Sequence, residues 1–299
     1  MMHTYSTFQE KDACFSSSLL NVFSTLCACL QELQKKGYFF RGQPDASWCL
    51  YTSAQREYLD KDLKRRFTSA YGFIKALIVS QTRMAHAQYV ANCKRITDVS
   101  VLSVMQHYGA PSPFLDFTSK GDVALYFATA NVPGKGGCET NAYVSIYAFQ
   151  PGNGPATADC NDITNWVDVV EAAGGDDSAY GFDMFRDLHG VFIRDDSKEY
   201  GAIANPRQDL QRGLFVYSGK AHNQLEPYET VFNGHRADCV KEGCDSRLFL
   251  PKFTCLNIHK CLLPSIHDYL SAKKISKQTL GLDGHEWARV VYKQFLAES

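Results

Sequence analysis

An α+β fold is expected for this 299-residue sequence, from three observations. Helical periodicity is concentrated early in the chain. Alternating, strand-like runs are concentrated late. There is no repeat and no regular β-α alternation of the kind that builds a parallel sheet. With 45% hydrophobic and 13% aromatic residues, the chain has enough apolar surface to bury a large core.

Taken in order, residues 16–36 show Leu19, Leu20, Phe23, Leu26, Leu30 and Leu33 at helical spacing, with Lys35, Lys36 and Gly37 as a stop. Residues 38–40 read as a short strand running into Arg41-Gly42-Gln43. Residues 61–95 are helical and basic, with Phe67, Tyr71, Ile74 and Ile78 on one face; the default reading of such charge is a solvated surface. Residues 122–130 form an apolar helix after the Thr118-Ser119 turn, and residues 142–149 alternate as a strand that stops at Pro151-Gly152-Asn153-Gly154-Pro155. Residues 151–200 are an acid-rich insertion with a helix around 166–173. Strand-like pieces follow at 213–217, 228–232 and 248–259, and helices at 264–270 and 285–295 close the chain.

Composition and motif absences narrow the function. A net charge of −1 gives no overall field toward nucleic acid or membrane. No apolar run has the length of a membrane span, and the amino terminus lacks the basic-then-apolar pattern of a secretory signal. Eleven cysteines at irregular spacing, without an Asn-x-Ser/Thr site, read as reduced thiols of a cytoplasmic protein. His235, Cys239, Cys244, Cys255, His259 and Cys261 lie within 27 residues, but several of them sit in strand-like apolar sequence, so no metal is expected. Gly134-Lys135-Gly136-Gly137 is not a P-loop, His285-Glu286 lacks the second histidine of a zinc protease, and no Gly-x-Ser-x-Gly elbow occurs.

Two distant stretches remain. The first is Phe39-Phe40-Arg41-Gly42-Gln43 with Trp48. The second is Gln106-His107-Tyr108-Gly109, then Leu115-Asp116-Phe117-Thr118-Ser119, then Ala124-Leu125-Tyr126-Phe127-Ala128. An arginine on a strand can fork onto a phosphate or carboxylate, and Gly42 admits the close approach of a backbone or a ligand. The blander roles stay open beside these. Arg41 pairs with Asp116 in the interior, Thr118 and Ser119 cap the next helix, and His107 is a hydrogen-bonded structural histidine.

These blocks, with Asn205-Pro206-Arg207 and Gln211-Arg212-Gly213-Leu214-Phe215 downstream, resemble the FRG-domain family, with Phe117 where that family usually has tryptophan and Pro113 where an arginine is common. The resemblance implies one domain over 1–299, with an amino-terminal helix in about residues 1–37. The motif order is in turn similar to that of ADP-ribosyltransferases. That implies a helical amino-terminal part feeding a split antiparallel sheet, and NAD as substrate. Arg41 then braces the site and contacts NAD, Thr118 and Ser119 organise strand and ribose, and Gln211 supports the nicotinamide ribose. Gly42, Gln43, His107, Tyr108, Asp116, Tyr126 and Arg207 line the cofactor. Gly213 stands where many transferases carry a glutamate, so Glu226 and Glu229 are alternatives.

The leading expectation is an NAD-consuming enzyme, which transfers ADP-ribose to a protein or nucleic-acid acceptor or hydrolyses NAD, in a toxin or defence setting. A noncatalytic nucleotide sensor is the alternative, and an interaction module using the basic segment at 61–95 is a third.

Overall fold

The computed structural model describes residues 2–61, 63–67, 69, 72–73, 76, 106–133, 137–150, 189–193, 210–218, 221, 225–230, 233, 252–282 and 287–298. Its elements run α1 (Phe8–Asp12), β1 (Ser16–Leu20), α2 (Phe23–Lys35), β2 (Phe39–Gln43), α3 (Ser53–Asp60), β3 (Leu115–Thr118), α4 (Gly121–Thr129), β4 (Tyr143–Gln150), β5 (His189–Ile193), β6 (Gly213–Ser218), β7 (Lys252–His259), α5 (Leu263–Ala272) and α6 (Trp287–Glu298). The fold is α+β, as expected.

The strands form one seven-stranded sheet in the order β1-β7-β4-β2-β3-β6-β5. It is mixed rather than wholly antiparallel, because β1 runs parallel to β7. The other neighbouring pairs are antiparallel. Strand β2 pairs with β4 along its whole length, from Phe39↔Phe149 to Gln43↔Ser145. With β3 it shares only Phe40↔Thr118. The sheet therefore consists of two well-paired parts, β1-β7-β4-β2 and β3-β6-β5, joined at one residue pair. Beyond that pair β2 and β3 part, and the backbone groups that each turns toward the other lose their ladder partners, while both strands stay paired on their far sides.

Several local expectations needed correction. The helix expected over 16–36 divides into β1 and α2. Ser16, Ser17 and Ser18 are poor helix formers, and the backbone of this stretch instead completes a parallel ladder on β7. Tyr228, Glu229 and Thr230 are helical rather than the start of a strand; the Tyr228 N–H bonds to the Leu50 carbonyl at 3.0 Å and its hydroxyl to the Pro113 carbonyl at 2.9 Å. Strand β5 falls inside the stretch read as an insertion and pairs with β6. Most of the basic segment 61–95 and of the acidic segment lies outside the described residues.

The two faces of the sheet bury different material. On one, Phe40, Val144, Ile146, Ala148, Leu256 and Ile258 pack against α2, α4 and α5. On the other, Phe39, Leu115, Phe117, Tyr147, Phe149 and Cys255 pack under the amino-terminal segment, Leu50, Tyr51 and Tyr228. Each fully buried Leu, Ile or Phe contributes about 1.5–3 kcal/mol, so both faces are needed to hold so broad a sheet.

Helix α4 is seated by Gly42. A Cβ built there would overlap the carbonyl oxygen of Ala124 and come within 2.5 Å of the Ala128 nitrogen. The close approach that Gly42 allows is thus made by the α4 backbone. Thr52 and Gln55 close a capping box at the start of α3, a Thr-x-x-Gln signature readable in the sequence.

Candidate functional site

Strand alternation places Arg41 on the face of β2 opposite to Phe40 and Gly42, beside Tyr147, its register partner on β4. Its Nη1 donates to the Asp116 carbonyl of β3 at 3.0 Å. The guanidinium therefore spans the two strands just where their ladder ends, and replaces a backbone hydrogen bond that the parting removes. No ion pair forms between Arg41 and Asp116; Arg41 Nε and Asp116 Oδ1 are both buried without a hydrogen-bond partner. Burial pulls the guanidinium below its ordinary value, opposed chiefly by the nearby Asp116.

On the other side of the joining pair, the Thr118 hydroxyl donates to the Gln211 carbonyl at 2.5 Å and accepts from the Lys120 N–H at 3.1 Å. It thus caps the turn into α4 and also ties β3 to the residues that open β6. The Ser119 N–H bonds to the Arg212 carbonyl at 3.2 Å, while its hydroxyl has no hydrogen-bond partner among the described residues. Arg212 takes a left-handed conformation, with φ of 52°, which turns the chain from Gln211 into β6. The side chain of Gln211 is buried and gives its amide to the Leu280 carbonyl at 3.2 Å.

The structure thus brings Thr118, Ser119 and Gln211 together at one end of adjacent strands β3 and β6, with Arg41 one residue beyond their link to β2. By alternation, Thr118 shares the face of Phe40, and Arg41 occupies the opposite face. His107 and Tyr108 are half-buried, and the His107 ring lies 5.9 Å from that of Phe215; Phe215 is the register partner of Asp116. Tyr126 is packed with the α4 side of the core, near Phe127. Gln43 is buried with both amide atoms unpartnered. Arg207 lies outside the described residues.

Glu229 is fully buried and accepts hydrogen bonds from the Tyr5 hydroxyl at 2.7 Å and from the Leu50 N–H at 3.0 Å. Burial raises its carboxyl above the ordinary value, against the pull of those two donors. Nearby, Lys11 is buried and donates to the Ala46 carbonyl, Ser145 Oγ and Asn257 Oδ1 at 2.8, 2.7 and 2.9 Å. Its ammonium lies 4.9 Å from the centre of the Tyr147 ring, and burial lowers its pKa. Glu226 is half-buried, and its N–H bonds to the Ala221 carbonyl.

Sequence reasoning missed two residues here. No periodicity marks Lys11 as interior, because its burial depends on strands more than a hundred residues away. Arg56, on α3, is half-buried and donates to the Tyr51 carbonyl at 3.1 Å. Burial, and next the charge of Arg41, pull it down to about 10.

Among the described residues no three potential ligands converge as a metal site, and no helix is long and apolar enough to cross a membrane. His235, Cys239 and Cys244 lie outside the described residues; Cys255 is buried, and His259 accepts from the Cys261 N–H. The seven described cysteines are all unpaired thiols.

No curated protein and no solved structure matches the chain. A family model does match, over β2, α3, β3 and all of α4, and so over Arg41, Asp116, Thr118 and Ser119 but not Gln211. Residues 36–135, about a third of the chain, are similar to the FRG domain.

Proposed function

We propose that this protein consumes NAD at the junction of β2, β3 and β6, cleaving the nicotinamide bond and passing ADP-ribose to a macromolecular acceptor or to water. The observation that carries this reading is the hydrogen bond from Thr118 to the Gln211 carbonyl. It joins the second and third sequence motifs at the point where Phe40↔Thr118 links them to the first.

Cleavage of the nicotinamide bond passes through a cation-like ribosyl centre, so catalysis rests on positioning and electrostatics. Arg41 has a spare Nε to offer a phosphate oxygen. The Ser119 hydroxyl is available to a ribose, and Thr118 fixes the strand that presents it. Seven unpaired thiols accord with a cytoplasmic setting.

A second reading, nucleotide binding without cleavage, is favoured by the position of two groups. The Gln211 amide is engaged by Leu280 and the Glu229 carboxyl is enclosed by Tyr5 and Leu50, so neither is free to face a ribosyl cation.

One experiment separates the two. Purified protein is incubated with NAD, nicotinamide release is measured, and NAD binding is followed by calorimetry, for wild type, Arg41→Ala and Gln211→Ala. Release that disappears in Arg41→Ala supports the enzyme. Binding without release supports the sensor, and neither binding nor release overturns both.

A further inference from the structure

We propose that residues 2–15 are a displaceable strap across one face of the sheet, and that its latch is a primary-ammonium site, built by Ala46, Ser145, Asn257 and the Tyr147 ring and filled by the chain's own Lys11. The inference does not depend on what is bound at the β2–β3 junction.

The latch follows from strand register. On the face opposite to α4, one row across β2, β4 and β7 is Gln43, Ser145 and Asn257, each the register partner of the next. The rows beside it are Arg41, Tyr147 and Cys255, and then Phe39, Phe149 and Phe253. A polar row in such a core is costly unless something polar meets it. Lys11 does. Its Nζ donates to the Ala46 carbonyl at 2.8 Å, to Ser145 Oγ at 2.7 Å and to Asn257 Oδ1 at 2.9 Å, and it lies 4.9 Å from the centre of the Tyr147 ring. Three oxygens match the three N–H donors of an ammonium, and the ring face answers its charge. Lys11 is fully buried, and among the described residues no carboxylate pairs with it. The seat is that of an ammonium ligand, occupied from within the chain.

The segment that carries Lys11 adds no strand to the sheet. Strand β1 begins at Ser16, and the bridge Thr4↔Trp48 joins the segment to the loop after β2. Residues 2–15 can therefore leave without breaking a ladder of the sheet. Their other buried ties are also polar: the Tyr5 hydroxyl donates to Glu229 and the Thr140 hydroxyl to the Tyr5 carbonyl, both at 2.7 Å. Water replaces each of these on release. The seated state leaves Gln43 Nε2 and Oε1 and Asn257 Nδ2 buried without a hydrogen-bond partner, a cost that the open, hydrated row no longer carries. What opposes release is the burial of Tyr5, Phe8 and Phe15. The Phe15 ring lies 5.0 Å from that of Tyr147, so release uncovers Tyr147, the register partner of Arg41.

The test uses the full chain as wild type, Lys11→Ala and Lys11→Met. The reporter is Cys255, whose Sγ lies 3.4 Å from the same Asn257 oxygen that Lys11 holds. Its maleimide labelling is read by peptide mass spectrometry, in urea too dilute to change the far-ultraviolet circular dichroism. Lys11→Ala should label at least about tenfold faster than wild type. Propylammonium, which restores the deleted part of the side chain, should slow that labelling by about threefold or more, and propanol at the same concentration should not. Lys11→Met should label faster than wild type and not respond to propylammonium. Hydrogen exchange of wild type in the same urea series needs no variant to fold. The Tyr5 N–H, bonded to the Ser47 carbonyl, and the Leu50 N–H, bonded to Glu229, should exchange at lower urea than the amides of β4 and β7.

Exchange of Tyr5 and Leu50 only together with β4 and β7 overturns the strap. Labelling of Cys255 in Lys11→Ala at the wild-type rate overturns the latch, and so does protection of that variant by propylammonium no better than by propanol.

Discussion

Thr118 donates its hydroxyl hydrogen to the carbonyl of Gln211 across 2.5 Å of space and 93 residues of chain. The same oxygen accepts the Lys120 N–H. One small side chain thus fixes the end of β3, the entry into α4 and the turn into β6. Thr118→Val keeps the shape and removes both bonds. It is expected to cost about 1–3 kcal/mol in chemical denaturation, because a buried carbonyl and an N–H lose their partner. Thr118→Ser should recover most of that loss. Equal stability of the valine variant and wild type would show that the junction is held by something else.

Gly42 predicts a larger effect from a smaller change. The neighbours of an added Cβ are the Ala124 carbonyl and the Ala128 nitrogen, both backbone, so no side-chain rotation relieves the clash. Gly42→Ala should therefore lift α4 from the sheet and destabilise by about 3 kcal/mol or more. Circular dichroism melts and soluble yield report this directly. A variant that folds and melts as wild type does would mean that α4 sits farther from β2.

Glu229 carries a pH signature. Its folded pKa lies above the unfolded value of about 4.5 because it is buried. Its contribution is therefore complete below pH 4.5 and is lost as pH rises through the folded value. Glu229→Gln keeps an acceptor for the Leu50 N–H and Tyr5 hydroxyl without the ionisation. It should match wild type near pH 4.5 and be the more stable of the two at pH 8. Any NAD turnover should survive this substitution, since the carboxyl is enclosed. Loss of turnover with unchanged stability would instead make Glu229 catalytic.

The thiols should divide by exposure. Cys138 and Cys261 are exposed, while Cys49 and Cys255 are buried, and burial raises the pKa of both interior thiols. A maleimide should label Cys138 and Cys261 within minutes and leave Cys49 and Cys255 unlabelled until the protein is unfolded, as read by peptide mass spectrometry. Rapid labelling of Cys255 in the native protein would contradict its place beneath the amino-terminal segment.

The sequence by itself determined the elements whose signal is local. The α4 helix and the strands at Tyr143 and Gly213 were readable because apolar spacing and turn residues act over a few positions. Serine-rich β1 was misread as helix for the complementary reason: it exists through its pairing with β7, more than two hundred residues away. For the candidate site, the sequence picked out Arg41, Thr118 and Gln211 by motif but could not say how they meet. Only the tertiary structure decided that β2 and β3 part after a single pair and that the close approach at Gly42 is made by α4. It also decided that Lys11 and Glu229 belong to the interior. Each of these depends on which strands lie side by side and which face a side chain takes. Those are set by long-range pairing and burial, not by the spacing of residues along the chain.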